Sequence, residues 1–270
     1  MNIGVFDSGL GGLIVTKALA DAMPEYSFSY LGDTKHVPYG SRSGDAVYGF
    51  AHGCVDYLFR KRDCRIVVVA CNTASIAALR RLQREYLPDS FPDRRILGVV
   101  VPTMEYVAGR GIKSAGLLAT DSTVRSKAYE CELAKIDSGI RLVSVAAPLL
   151  VPLIENGGER FARPVVREYI ERFRGTDVDS IILGCTHYPF LEEMIKEEAA
   201  GALGRPIEII SQTRIVPDSL RSYLARHPEI ESDLAHGGGN SFAVTDITDS
   251  YRAQAARLFG RKIDIEKVEI

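Results

Sequence analysis

Two cysteines stand in nearly matching surroundings, and they are the residues most suited to chemistry. Cys71 follows an apolar run at 66–70, and Cys185 follows another at 181–184; small hydroxyl or amide residues come after both. A short apolar run bounded in this way is typical of a strand that is covered on both faces. A thiol placed where the next helix begins meets unpaired backbone N–H groups and the positive end of the helix dipole, and both lower the pKa of a thiol.

Four kinds of chemistry could use this pair. A redox pair is one, although neither cysteine lies in a Cys-x-x-Cys motif. Zinc held by Cys71, Cys185 and His187 is another, but the Cys-x-His spacing is poor for a tetrahedral site and no fourth ligand is evident. A single nucleophile with His187 as its base would leave the other cysteine unexplained. Proton transfer on opposite faces of one carbon uses both thiols and needs no cofactor.

The glycine-rich turn at 7–12 raises a further alternative, a dinucleotide site. Asp33, at the end of the second predicted strand, imitates the acid that binds a ribose in such sites. The Gly-x-Gly-x-x-Gly frame that starts at Gly9 fails, however, because Ile14 stands at its last position. A turn that opens a helix can still bind a small anion such as a carboxylate.

Strands that alternate with helices predict an α/β fold with mostly parallel sheets flanked by helices. Ligands bind such sheets at the carboxyl ends of the strands, where both cysteines and the turn at 7–12 fall. Helices are expected directly after the cysteines, at 74–86 and 187–200, and a linker at 87–95. The other predicted strands lie at 2–6, 27–31, 115–119, 142–146 and 207–210.

A weak internal repeat organises these elements. Residues 4–8 resemble residues 116–120, and Asp7 precedes Cys71 by 64 positions while Thr120 precedes Cys185 by 65. The pattern predicts two pseudo-symmetric domains with the active site in the cleft between them. The first domain would comprise residues 1–96 and 209–270, and the second residues 97–208.

Composition excludes several classes of protein. The formal net charge is −2, so nothing draws the chain generally to nucleic acid or to an anionic membrane. No apolar run approaches the ~18 residues of a membrane span, and Asp7 comes too early for a signal peptide. Five cysteines without regular spacing favour free thiols in a reducing compartment. We therefore expect a cytoplasmic protein.

The motifs resemble those of the aspartate/glutamate racemase family, and among its members those of the glutamate racemases. The likeness spans most of the chain. It is carried by Asp7-Ser8-Gly9-Leu10-Gly11-Gly12, Pro38-Tyr39-Gly40, Ala70-Cys71-Asn72-Thr73-Ala74-Ser75 and Gly184-Cys185-Thr186-His187-Tyr188-Pro189.

The resemblance implies cofactor-independent interconversion of L- and D-glutamate, which supplies D-glutamate for peptidoglycan and so for cell-wall biogenesis and cell shape. It implies a homodimer that holds no metal. Cys71 and Cys185 would be the acid/base residues, assisted by Asp7 and His187; Glu155 is either a further assisting group or a solvated acid. The substrate would be held by Ser8, Tyr39, Gly40, Asn72, Thr73, Thr120, Thr123 and Thr186.

Two other functions stay open at this point. The same scaffold could racemise aspartate or a related amino acid, or it could bind a dicarboxylate without catalysis. The chain also departs from the usual family pattern, with Lys35-His36-Val37 where Ala-Arg and an apolar residue are common. A polar segment that usually begins with an acid reads Ser211-Gln212-Thr213-Arg214 here, and Ala147 replaces a frequent cysteine.

Overall fold

The computed structural model describes residues 1–137 and 139–270. The chain forms two compact units: Met1–Val99 together with Thr213–Ile270, and Val100–Gln212. In the part of the chain that the structure describes, no helix is both long and apolar enough to span a membrane.

The first unit carries a six-stranded sheet. Up to residue 99 its strands are β1 (Asn2–Asp7), β2 (Phe28–Gly32), β3 (Cys64–Val69) and β4 (Arg95–Gly98), and its helices are α1 (Gly12–Ala22), α2 (Gly44–Lys61), α3 (Asn72–Ala77), α4 (Leu79–Arg81) and α5 (Leu87–Ser90).

The second unit carries a four-stranded sheet. Its strands are β5 (Ser114–Ala119), β6 (Arg141–Ala146), β7 (Ser180–Gly184) and β8 (Glu208–Ile210), and its helices are α6 (Val100–Gly109), α7 (Asp121–Ser126), α8 (Ala128–Ile136), α9 (Leu150–Glu155), α10 (Ala162–Glu171) and α11 (Glu192–Leu203).

The chain then completes the first unit. The remaining elements are α12 (Gln212–Arg226), α13 (Pro228–Glu231), β9 (Asn240–Val244), α14 (Asp249–Phe259) and β10 (Ile265–Lys267).

Both sheets are parallel, and four strands follow the same order in each. The first sheet runs β10-β9-β2-β1-β3-β4 and the second β6-β5-β7-β8, so that β2-β1-β3-β4 corresponds to β6-β5-β7-β8. The pairings between these strands are parallel throughout the described residues. The predicted α/β class with parallel sheets is confirmed.

The central strands form the core of each sheet. Every residue of β3, β5 and β7 is buried, and so is β1 after its first residue. Such continuous burial is typical of parallel strands that are covered by helices on both faces. Because β1 and β3, like β5 and β7, are neighbours, the residues that follow them lie side by side at one edge of their sheet.

Three segments differ from the sequence prediction. The helix predicted at 74–86 is divided into α3, α4 and a π-helix at Leu82–Tyr86. The linker predicted at 87–95 begins with α5, because Leu87 is buried and continues the helical path from Tyr86. The helix predicted at 187–200 begins instead with a 3-10 turn at Tyr188–Leu191, followed by α11.

Candidate active site

The first group of predicted site residues lies at the carboxyl ends of β1 and β3. Cys71 is 5% exposed and occupies the N-cap position of α3. Its Sγ accepts the N–H of Ala74 at 3.4 Å and donates to Ser8 Oγ at 3.4 Å. Asn72 and Thr73, the next two residues, are also buried. The strand ends thus bring a thiol, two hydroxyls and an amide together.

Asp7 supports the turn beside this thiol. Its carboxylate is fully buried, and Oδ2 accepts the N–H groups of Gly9 at 3.1 Å and Gly12 at 3.0 Å. The N-terminus of helix α1 therefore lies against the carboxylate of Asp7, and the helix dipole favours a negative charge at that end. These bonds fix the main chain around Ser8, so Asp7 shapes the site through the turn.

Gly12→Ala should lower the stability of the protein because the turn leaves no room for a side chain. A Cβ at Gly12 would lie 2.3 Å from Asp7 Cβ. We expect a loss of about 2 kcal/mol in the free energy of unfolding, typical of overpacking at a rigid contact. Urea unfolding measures this loss.

Gly49→Ala is the matched control. Gly49 lies within α2, and nothing lies within 4 Å of an added Cβ. This variant should therefore be more stable than the wild type by about 0.5–1 kcal/mol. Equal effects of both variants would contradict the packing argument.

Tyr39 and Gly40 open a 3-10 turn after the loop that follows β2. The ring of Tyr39 is 2% exposed, and its hydroxyl donates to Asp33 Oδ2 at 2.7 Å. Burial, together with the neighbouring Cys54 and Asp33, raises the pKa of Tyr39 above its usual value near 10, so the hydroxyl stays protonated. The hydroxyl proton of Tyr39 is therefore engaged by Asp33.

The second group lies at the carboxyl ends of β5 and β7. Thr120 is the N-cap residue of α7; its Oγ1 accepts the N–H of Thr123 at 3.3 Å and donates to Thr123 Oγ1 at 3.0 Å. Cys185 follows β7 and is 6% exposed, and Thr186 beside it is 4% exposed. As in the first unit, the strand ends gather one thiol with several hydroxyls.

Two polar side chains, His187 and Glu155, lead away from the second thiol. Cys185 Sγ lies 3.8 Å from His187 Nδ1, and His187 Nε2 lies 2.9 Å from Glu155 Oε1. Glu155 ends α9, which follows the carboxyl end of β6. Tyr188 anchors the adjoining turn by donating to the carbonyl of Ala147 at 2.8 Å. Glu155 is thus brought to the thiol through His187.

This arrangement favours a charged imidazole. Burial by itself lowers the pKa of His187, but the hydrogen bonds and charges of Cys185 and Glu155 outweigh burial and hold the pKa well above 6.5. The imidazolium places its positive charge beside Cys185, with Nδ1 3.8 Å from Sγ. The geometry therefore suits a cysteine that takes up and releases a proton.

The two thiols differ in how they are supported, although their strands correspond. Cys71 caps an α-helix, whereas α11 begins seven residues after Cys185 and a 3-10 turn intervenes. The prediction of an α-helix directly after Cys185 was wrong. Pro189 enters this segment without a backbone donor, and tight turns of this kind are short. At Cys185, His187 supplies the positive charge that a helix N-terminus was expected to supply.

Comparisons with known proteins agree with this architecture. A model of the Asp/Glu/Hydantoin racemase family matches residues 4–216. A curated glutamate racemase of Dinoroseobacter shibae is 38% identical, over 100% of this chain and 99% of that protein. Among solved structures, a glutamate racemase isoform of Bacillus anthracis has a TM-score of 0.87 and 32% identity, covering 100% of this chain and 97% of the other.

A second solved structure adds a ligand to the comparison. The glutamate racemase of Francisella tularensis, determined in complex with D-glutamate, has a TM-score of 0.86 and 27% identity, with coverage of 100% and 97%. The chain belongs to the Asp/Glu/Hydantoin racemase family. The predictions of this family and of an isomerase of the amino-acid racemase class are therefore confirmed.

Proposed function

We propose that this protein interconverts L- and D-glutamate with Cys71 and Cys185 as its two acid/base residues. The observation that carries the proposal is the similar position of the two thiols. Cys71 lies two residues after the end of β3 and Cys185 one residue after the end of β7, and these strands correspond in two sheets with the same strand order. Curated relatives of similar length are named glutamate racemases, and a solved relative holds D-glutamate. These findings favour glutamate over aspartate as the substrate.

The reaction requires two opposite proton transfers. A thiolate on one face of the substrate removes the α-proton and becomes a thiol. The thiol on the other face donates its proton to the carbon and becomes a thiolate, so the configuration is inverted and no electrons are transferred to another molecule. A general base works best when its pKa is near the ambient pH, and an unperturbed thiol near 8.5 is already close.

The remaining predicted site residues act on the substrate rather than on its proton. Negative charge develops on the substrate carboxylate as the α-proton leaves. Hydroxyl, amide and backbone N–H donors fixed beside that carboxylate stabilise the transition state. We assign this work to Ser8, Asn72, Thr73, Thr120, Thr123, Thr186 and the main chain of Tyr39 and Gly40. Asp7 and His187 support their neighbouring thiols.

The biological context of the proposal follows from its product. D-Glutamate made in the cytoplasm would supply peptidoglycan synthesis, and thereby cell-wall biogenesis and cell shape. The resemblance also implies a homodimer. Sedimentation at micromolar concentration tests the assembly separately from the activity.

The purified chain should racemise both enantiomers of glutamate with no cofactor added. Circular dichroism follows the loss of optical activity, and chiral chromatography identifies the product. Aspartate and other acidic amino acids, tested at the same concentrations, are the matched controls. Faster racemisation of aspartate than of glutamate would show that aspartate is the preferred substrate. Thermal stabilisation by glutamate without racemisation or isotope exchange would instead indicate a binding protein.

A further inference from the structure

Asp33 is a buried carboxylate that the proposed mechanism does not use. It follows β2, which pairs with β1, and its N–H donates to the carbonyl of Asp7 at 3.0 Å. The residue is 1% exposed. Taking a carboxylate out of water is costly unless its oxygens are hydrogen-bonded, so the groups around Asp33 indicate what it does.

Three side chains meet this carboxylate. Tyr39 OH donates to Oδ2 at 2.7 Å, and Thr245 Oγ1 donates to Oδ1 at 2.8 Å. His36 Nδ1 lies 2.9 Å from Oδ2 and 3.0 Å from Oδ1. Two of these partners belong to the loop after β2, and the third follows β9. The carboxylate therefore ties one loop to the neighbouring strand.

The loop is held at further points around Asp33. The N–H of Lys35 donates to Thr245 Oγ1 at 2.9 Å. The ring of His36 stacks on Phe50 of α2, with centroids 4.1 Å apart and planes 6° from parallel. Asp33 thus contacts positions 36 and 39 of one loop directly, and position 35 is linked to it through Thr245.

We propose that Asp33 is a positioning residue, which holds the main chain of Tyr39 and Gly40 in the conformation that receives the substrate. The inference rests on the proposed function. A carboxylate near an anionic ligand would repel it, but here each oxygen accepts hydrogen bonds from loop or strand partners. The same contacts that fix the loop also offset the charge of Asp33.

Asp33→Asn tests the proposal because it preserves size and replaces one acceptor oxygen by a donor NH₂ group. In one orientation of the amide the NH₂ group faces Tyr39 and His36, and in the other it faces Thr245. In either orientation a buried donor loses the carboxylate oxygen that accepted its hydrogen bond. We expect KM for L- and D-glutamate to rise about tenfold or more, with kcat changed less, because charge-assisted hydrogen bonds that hold the loop are lost. A merely structural defect would lower the active fraction and leave KM unchanged.

Asp56→Asn is the matched control. Asp56 of α2 also accepts a tyrosine hydroxyl, from Tyr86 at 2.6 Å, and an arginine N–H, from Arg60 at 2.8 Å. It is not among the predicted site residues, so its variant should keep the wild-type KM. Tyr39→Phe, which removes one donor and keeps the ring, should raise KM less than Asp33→Asn does.

Limited trypsin digestion tests how firmly the loop is held, independently of catalytic activity. Lys35 and Arg42 are exposed and flank the fixed part of the loop. Asp33→Asn should speed cleavage at these two sites several-fold relative to wild type and Asp56→Asn. An unchanged KM with unchanged cleavage would overturn the inference. Wild-type protein that fails to racemise glutamate would reject the proposed function alone, and the cleavage rates would still decide the role of Asp33.

Discussion

Replacing either proposed acid/base cysteine by serine should lower the racemisation rate by about 10³-fold, within the range that general acid/base groups contribute. A serine hydroxyl is close in size to a thiol but far less acidic. It therefore removes the α-proton, or donates a proton to the carbon, much more slowly than a cysteine does. Because the two steps occur in every turnover, Cys71→Ser and Cys185→Ser should each show this loss in both directions. Initial rates from L- and from D-glutamate, followed by chiral chromatography, measure the loss.

Cys131→Ser is the control for this pair. Cys131 is a free, exposed cysteine of α8 that lies outside the predicted site, and its variant should keep the wild-type rate. Thermal unfolding of all three variants separates loss of chemistry from loss of structure. Full activity in either Cys71→Ser or Cys185→Ser would reject the two-thiol mechanism.

Glu155→Gln should have the second-largest effect, through His187. Glutamine keeps the size of the side chain and an acceptor oxygen for His187 Nε2, 2.9 Å away in the wild type, but it removes the negative charge. The pKa of His187 should fall, because a neighbouring negative charge no longer favours the protonated ring, and the positive charge beside Cys185 decreases with it. We expect the rate at neutral pH to drop about tenfold, because losing about 1.4 kcal/mol of interaction with the neighbouring charge corresponds to a factor of ten.

The same variant should change how stability depends on pH. Because the folded protein holds the pKa of His187 above 6.5, protonation of His187 contributes stability that is fully present below the unfolded pKa. That contribution is lost as the pH rises through the folded pKa. Urea unfolding across this range should therefore show a weaker pH dependence in Glu155→Gln than in the wild type, and an NMR titration of His187 should report the lowered pKa directly.

Glu229→Gln is the matched control for the pair. Glu229 lies 3.2 Å from His227, but both side chains are on the surface, where an ion pair contributes little. This variant should leave the rate unchanged, and it should leave the pH dependence of stability unchanged from pH 6.5 upward, the range in which His187 is expected to titrate. If Glu155→Gln behaved in the same way, Glu155 would be a solvated acid rather than an assisting group.

The sequence predicted those features that depend on short-range pattern. The apolar runs before Cys71 and Cys185 form β3 and β7, and the strand predicted at 115–119 lies within β5. Patterns do not distinguish helix types: Ala78, Leu82 and Tyr86 are buried at a spacing of four, which fits an α-helix as well as the π-helix that forms there.

Contacts between residues distant in the sequence could not be predicted in this way. Glu155 precedes His187 by 32 positions, and only the packing of α9 beside the turn after β7 brings the two together. Thr245 meets Asp33 across 212 positions because β9 pairs with β2. The sequence suggested for Asp33 only a likeness to a ribose-binding acid. Nothing in the neighbouring residues indicated that Tyr39 and His36 would share its carboxylate.

Isotope exchange at early times in D₂O tests the central claim, proton transfer by two different thiols, most directly. Starting from L-glutamate, the first D-glutamate formed should carry deuterium at the α-carbon, because its proton comes from the second thiol, which has exchanged with solvent. The L-glutamate that remains should be almost unlabelled at that stage. Product that retains the original α-proton would show that a single base had carried it from one face to the other, and would contradict the account.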